Sequence, residues 1–233
     1  WPAIAFGAAC AWQAGESSIE SFKAKYDWAF YRNDDHTFSD AIQRLTRAHS
    51  ILRNAGAGEA NDQPFWVDPF SESGARYAEK AERAAKDLRL EVERALDAIY
   101  RHRARARMNE DTIDDLIFAA MRLDALGLKI QLASEISRAY WEAYLNMANR
   151  QLVSRNLSQI TGANGRLEDL RDATTALRDK YASLSLKENR PYWLANVLVR
   201  YDNLASGFQA KAQAVRAASE QYREQGYLPP PHE

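Results

Sequence analysis

An all-α fold is predicted for this chain: an elongated helical bundle of about four long helices, preceded by two or three shorter ones. Three observations predict it. Apolar residues recur at spacings of three and four through most of residues 73–225. Glycine, proline and asparagine interrupt that pattern only over short stretches, which favours antiparallel neighbours joined by brief turns. Alternation of the kind a half-buried strand needs is missing, and the one stretch that admits a short strand is Ile4 to Phe6.

The first twelve residues, Trp1 to Trp12, are small or apolar and carry no charge. Beginning on a Trp without an initiator Met, they read as a piece cut from a longer protein, where they packed inside another domain. The next helical pattern runs from Ser17 to Tyr31. Ser17 and Glu20 have capping-box spacing, and Ile19, Phe22, Tyr26, Ala29 and Phe30 recur at helix spacing. Asn33-Asp34-Asp35-His36 breaks it. Thr37 or Ser39 is expected to cap the following helix, with Phe38, Ile42, Leu45, His49 and Leu52 on one side. Gly56-Ala57-Gly58 ends that helix, and Pro64 and Pro69 keep residues 59–72 from continuing it. Phe65-Trp66-Val67 inside this linker predicts a segment pinned to a surface. The expected organisation is therefore residues 1–58, a linker over 59–72, and the bundle over 73–233.

The bundle opens after Ser71 or Ser73. Tyr77, Ala81, Ala84, Leu88, Val92, Ala95 and Ile99 form a coiled-coil-like stripe. Asn109 or Asp111 caps a second helix, whose stripe of Ile113, Leu116, Ile117, Ala120, Leu123, Ile130, Ile136, Tyr140, Tyr144 and Met147 predicts one run to Gly162 and Gly165, with a kink at Gly127. A third carries Leu167, Leu170, Thr174, Leu177, Tyr181 and Leu184. A fourth is expected to start near Pro191, with Leu194, Val197, Tyr201, Leu204, Phe208, Ala212, Val215 and Tyr222, and to stop at Gly226 and Pro229-Pro230-Pro231. A 30-residue helix is roughly 45 Å long, so the bundle should be elongated.

Composition narrows the function. The chain has 233 residues, 46% apolar and 27% charged, with a net charge of −1. It is long enough for a sizeable core, and its charge balance argues against a dedicated nucleic-acid binder. No apolar run approaches the roughly 20 residues of a membrane span. The single cysteine, Cys10, excludes an intrachain disulfide and reads as a small buried hydrophobe. The compartment is not legible, because a signal peptide of a longer protein would lie upstream.

Chemistry is sparse. No Glu stands three residues before any of His36, His49, His102 or His232, so the Glu-x-x-His of a di-iron bundle is missing, as are His-Glu-x-x-His and Cys-x-x-Cys. No metal or cofactor is expected. The carboxylates Glu110, Asp111, Asp114 and Asp115 suit a first helical turn. Asp34 and Asp35 suit a solvated turn. The basic run Arg101, His102, Arg103, Arg105 and Arg107 suits a helix C-terminus. Gly162-Ala163-Asn164-Gly165 lacks the Lys and Ser/Thr of a phosphate loop. Tyr140, Trp141, Tyr144, Tyr192, Trp193 and Tyr201 fall mostly on core stripes. Trp141 and Tyr192 fit those stripes least, and exposed rings there would suit contact with sugar.

The opening resembles the last part of the barrel in glycoside hydrolase family 20, the β-N-acetylhexosaminidases. That family has a Trp-Pro-Arg-Ala segment, then small residues, then a Trp eleven positions after the first. Trp1, Pro2, Ala8 and Trp12 stand at that spacing. The family then has a helix reading Arg-Leu-Ser and a basic residue, ending at Gly. Arg44-Leu45-Thr46-Arg47, Leu52 and Gly56 are similar in order and length. Ala3 replaces the usual Arg and Ala9 a frequent Glu, and the helix from Phe22 to Tyr31 is an insertion. The resemblance implies that residues 1–58 are the final helix of a (β/α)8 barrel with its exit helices. It also implies a parent that hydrolyses terminal β-linked N-acetylhexosamine. There a neighbouring Asp-Glu pair acts with the substrate's own acetamide as nucleophile, an exception to the two-carboxylate scheme. That pair belongs to an earlier strand, and no residue of this chain matches it, so no catalytic residue is assigned. The implied partners are the parent's own barrel, glycan through that barrel, and a second copy through the bundle. The alternative is a non-enzymatic helical module for interaction or oligomerisation.

Overall fold

The computed structural model describes residues 2–12, 18–55 and 62–231. They form helices α1 (Pro2–Trp12), α2 (Ile19–Tyr31), α3 (Thr37–Asn54), α4 (Asp62–Trp66), α5 (Glu72–His102), α6 (Glu110–Leu145), α7 (Arg150–Thr161), α8 (Arg166–Glu188) and α9 (Leu194–Gln225). A 3₁₀ turn, Arg103–Arg105, joins α5 to α6. Among the described residues there is no strand. The stretch from Ile4 to Phe6 is helical, contrary to expectation. Alanine, the best helix former, dominates the segment, and Pro2 occupies its first position, where its missing N–H costs nothing.

The long helices are those the stripes predict, with local corrections. The cap of α2 is Ser18, whose side chain accepts from the Ser21 amide at 3.2 Å; Ser17 lies outside the described residues. Neither Thr37 nor Ser39 caps α3. Its Phe38 and Ser39 amides donate instead to Asp27 on α2, at 2.8 and 2.9 Å, a partner too distant in sequence for a capping pattern to reveal. On α3 it is Ala48, not His49, that enters the core. Ser71 caps α5 by accepting from the Gly74 amide at 3.1 Å. The helix from Glu110 does not run on to Gly162. It stops at Asn146, and Asn149 restarts the chain as α7 by accepting from the Leu152 amide at 3.1 Å. Two asparagines three residues apart favour caps over helix interior. Pro191 lies in the turn before α9 rather than inside its first turn.

Gly127 does not interrupt α6. A Cβ there would come within 2.6 Å of Arg89 Cγ and 2.9 Å of Leu88 Cδ2. Its absence lets α5 approach closely, aided by the buried Ala81, Ala85 and Ala95 of α5. Arg89 then bridges the pair, donating to Asp124 at 2.8 Å and Gln131 at 2.9 Å.

Two apolar cores share α6. The first joins Phe38, Leu45 and Leu52 of α3 with the α5 stripe and with Ile113, Ile117 and Ile130 of α6. The second joins Ile136 and Ala143 of α6 with Val153, Leu157 and Ile160 of α7, Leu167 and Leu170 of α8, and Phe208 and Tyr222 of α9. The first core takes residues from both sides of the 59–72 segment, and the change from one core to the other falls inside α6. A simple four-helix ring would close through an α5–α9 contact. Here α5 lies between α3 and α6, α8 lies between α6 and α9, and α7 packs on α6, α8 and α9.

Candidate functional site

The junction of α2, α3 and the α5–α6 turn gathers the polar side chains of Asn33, Asp35, Thr37, His102 and Arg105. Asp35 is its hub. Its Oδ2 lies 2.7 Å from His102 Nδ1 and accepts from Arg105 at 2.8 Å. Its Oδ1 accepts from the Asn33 side chain at 2.6 Å and the Thr37 amide at 3.2 Å. Burial alone would raise the Asp35 pKa, yet the bonds from Thr37, His102 and Arg105 hold it well below the usual carboxylate range. Asp35 is exposed in the turn, as the sequence suggests, and also serves there as an anchor.

Thr37 Oγ1 also approaches His102, at 3.2 Å, and Asp, His and Thr together invite comparison with a catalytic triad. The geometry rejects it. Both Thr37 and Asp35 meet the same nitrogen, Nδ1, whereas a relay needs hydroxyl and carboxylate on opposite ring nitrogens. The cluster ties α3 to the end of α5. A groove of about 780 Å³ beside it is lined by Trp28, Arg32, Asp34, Arg105 and Arg107. Arg32 covers the Trp28 ring at 4.5 Å.

Arg101 and Arg103 of the basic run are spent on structure. Arg101 pairs with Asp97 at 2.8 Å and Arg103 with Asp114 at 2.7 Å. Asp114 also accepts from Lys187 of α8 at 2.9 Å, with Lys180 at 3.7 Å. The Arg103 hydrogen bond holds its pKa well below the usual range, helped by Lys187 and Lys180. Asp114 thus joins the α5–α6 turn to the end of α8.

Lys129 is the buried charge that pattern reading missed, because it sits among apolar neighbours of α6. Its Nζ donates to the carbonyls of Pro64, Phe65 and Val67 at 2.7, 2.7 and 2.8 Å. Three acceptors match the three hydrogens of an ammonium. Desolvation pushes the Lys129 pKa down to about 7. The 62–67 segment is pinned here, as Phe65-Trp66-Val67 suggested. Phe65 is buried, and Trp66 lies edge-on to Tyr201 at 4.8 Å, with the Arg200 guanidinium 4.2 Å from its ring centroid.

Among the described residues, two exposed apolar surfaces lie apart from these links. One is α1. Cys10 is only partly buried, and Ala3, Ile4, Gly7, Ala8 and Ala11 face outward, Ile4 with 69% of its surface exposed. The helix rests on α2 through Phe6 and Phe22, whose rings are 5.2 Å apart. Between them runs an apolar cleft of about 490 Å³ lined by Phe6, Phe22, Tyr26 and Phe30. The other is the turn between α8 and α9, where Tyr192 and Trp193 project outward. Of the aromatics singled out from the sequence, Tyr201 is buried and Tyr140 and Tyr144 are half-buried, while Trp141, Tyr192 and Trp193 are exposed.

Among the described residues no three His, Cys, Asp or Glu side chains converge as metal ligands, and no helix is long and apolar enough to cross a membrane. The chain matches no protein-family model, no curated protein and no solved structure.

Proposed function

We propose that this chain is a helical interaction module whose α1 packs against a neighbouring domain, and that this domain is a β-N-acetylhexosaminidase-like barrel. One observation carries the reading. From Pro2 to Trp12 no residue is charged, yet Ala3, Ile4, Gly7, Ala8 and Ala11 are exposed and no residue from Pro2 to Ala11 is fully buried. A helix apolar on all sides is normally a buried one, and an exposed apolar surface of this kind marks a contact site. The resemblance of Trp1 to Trp12, and of Arg44 to Gly56, to the end of a family-20 barrel names the occupant. In such a barrel the last helix is covered by strands on one side and by later helices on the other. The corresponding part of α3 is tied to α5, with Leu45 and Leu52 in the core and Arg44 and Arg47 on Glu91 at 3.4 and 3.5 Å. The bundle would thereby be attached to the barrel's exit. Alone, the chain holds no Asp-Glu pair of that family and is expected to be inactive.

The coding sequence upstream of Trp1 tests the parentage. Barrel strands and a neighbouring Asp-Glu pair are expected there, and a reading frame that begins just before Trp1 or encodes no barrel would contradict it. The purified 233-residue chain should not turn over a chromogenic N-acetylglucosaminide; measurable hydrolysis would refute the claim that the chemistry lies elsewhere. Sedimentation separates the oligomerisation alternative. A stable dimer that Ile4→Ser dissociates would mean that a second copy, and not a barrel, covers α1.

A further inference from the structure

We propose that the groove between the end of α2 and the α5–α6 turn binds a phosphomonoester, with Arg32 and Arg107 holding the phosphate and the Trp28 indole beside it. The groove, about 780 Å³, brings together residues far apart in sequence: Trp28, Arg32 and Asp34 from one side, Arg105 and Arg107 from the other. Backbone contacts fix the two sides against each other. The Arg107 amide donates to the Tyr31 carbonyl at 2.9 Å, and the Asn109 side chain donates to the Phe30 carbonyl at 2.7 Å. Arg107 therefore stands beside the residue that precedes Arg32. Arg32 closes α2 in a left-handed conformation, φ 55°, with its amide on the Trp28 carbonyl at 3.1 Å. That conformation is uncommon for arginine and persists where its surroundings hold it.

The ligand follows from how the charges are paired. Asp35 is engaged by Arg105 and His102. Arg101 and Arg103, a few residues away, have their own aspartates. Among the described residues neither Arg32 nor Arg107 has a carboxylate within ion-pair distance. Arg32 lies over the Trp28 ring at 4.5 Å and reaches only the Trp28 carbonyl, at 3.4 Å. Two like charges left on one groove favour an anion there. Two planar guanidinium forks suit phosphate, whose oxygens can accept from both. The Trp28 indole, 56% exposed, supplies an apolar wall for the group that the phosphate esterifies. A small ligand fits better than a nucleic-acid strand, because the groove sets three arginines against two aspartates and the whole chain carries a net charge of −1. Asp34 opposes the anion from the same groove, so its removal should act in the opposite direction to that of an arginine. No residue of α1 lines the groove, and the site stands whether or not a barrel covers that helix.

Calorimetric titration of the 233-residue chain at fixed ionic strength tests it, with phenyl phosphate, inorganic phosphate and benzoate as separate probes. Phenyl phosphate should bind saturably, inorganic phosphate more weakly, and benzoate at least about tenfold more weakly. Arg107→Gln and Arg32→Asn should each weaken phenyl phosphate binding at least about tenfold; asparagine tolerates the left-handed backbone at position 32. Asp34→Asn should tighten it about two- to fivefold. Asp34 makes no side-chain bond among the described residues, so this variant probes the groove without loosening the fold. Arg190→Ala, at an exposed arginine outside the groove, should leave binding unchanged. Circular dichroism of each variant checks that the helices persist. No binding of phenyl phosphate, or equal weakening by Arg190→Ala and Arg107→Gln, would overturn the site. Weaker binding in Asp34→Asn would place the anion elsewhere and overturn it as well. Benzoate bound as tightly as phenyl phosphate would contradict the choice of phosphate. Equal affinity for phenyl and inorganic phosphate, unchanged in Trp28→Ala, would contradict the role given to the indole.

Discussion

Helices α1 and α5 solve opposite problems. In α5 the buried residues Ala78, Ala81, Ala85, Leu88, Val92, Ala95 and Ile99 form one stripe covered by α3 and α6, while most charged residues face water. In α1 there is no polar side to turn outward, so one side rests on α2 and the rest stays bare. The periodic helix carries its own instructions for burial. The uniformly apolar helix does not, and half of its described residues stay exposed. A stripe reports folding within the chain; an apolar helix without one is the feature on which the proposed neighbouring domain rests.

The contrast can be broken most forcefully in α5. Leu88→Ala should cost about 3 kcal/mol, because the cavity beside Gly127 lies between closely packed helices; urea unfolding reads this directly. Loss below about 0.5 kcal/mol would mean that the stripe is not the source of stability. Lys129→Met comes next. It leaves three carbonyls without their donor, and about 2–3 kcal/mol should be lost, with faster proteolysis near residues 62–67. The pH dependence has a sign. Lys129 is lowered to about 7 in the fold from an ordinary 10.5, so the unfolded chain binds more protons between those values. The stability advantage of the wild type over Lys129→Met should therefore grow between about pH 7 and about pH 10.

Asp114→Asn should cost about 2 kcal/mol at neutral pH, through the lost charge-assisted bonds to Arg103 and Lys187. Asp114 is depressed in the fold, so its contribution is full above its unfolded value of 3.8 and fades as the pH falls below that. Wild type and Asp114→Asn should then converge in acid. The smallest effect should come from Ile4→Ser in α1, below about 0.5 kcal/mol in this chain. A large loss there would make α1 part of the chain's own core and end the contrast with α5.

The same distinction explains what could be read from the sequence. Stripes such as Ala81, Leu88, Val92, Ala95 and Ile99 place α5 almost to the residue, because each position reports its own burial. Breaks were harder. Asn146 and Asn149 stop α6 against a stripe that continues through them, and local capping overrode periodicity. Long-range polar links were illegible. Asp27 on the α3 amides, His102 on Asp35, and Lys129 on the 62–67 carbonyls each join groups that only the tertiary arrangement brings together. The aromatic misfits were partly visible, since Trp141 and Tyr192 left the stripes. Trp193 was not, because its exposure follows from a turn that Pro191 precedes where a helix start was expected.

Amide hydrogen exchange over residues 2–12 tests the central claim most directly. It should be measured in the 233-residue chain and again with the proposed neighbouring barrel domain joined to it. Near-unprotected exchange is expected in α1 alone, against strong protection in α5, with a slowing of at least about 100-fold in α1 once that domain is present. Equal protection of α1 in both forms, at the level of α5, would contradict it.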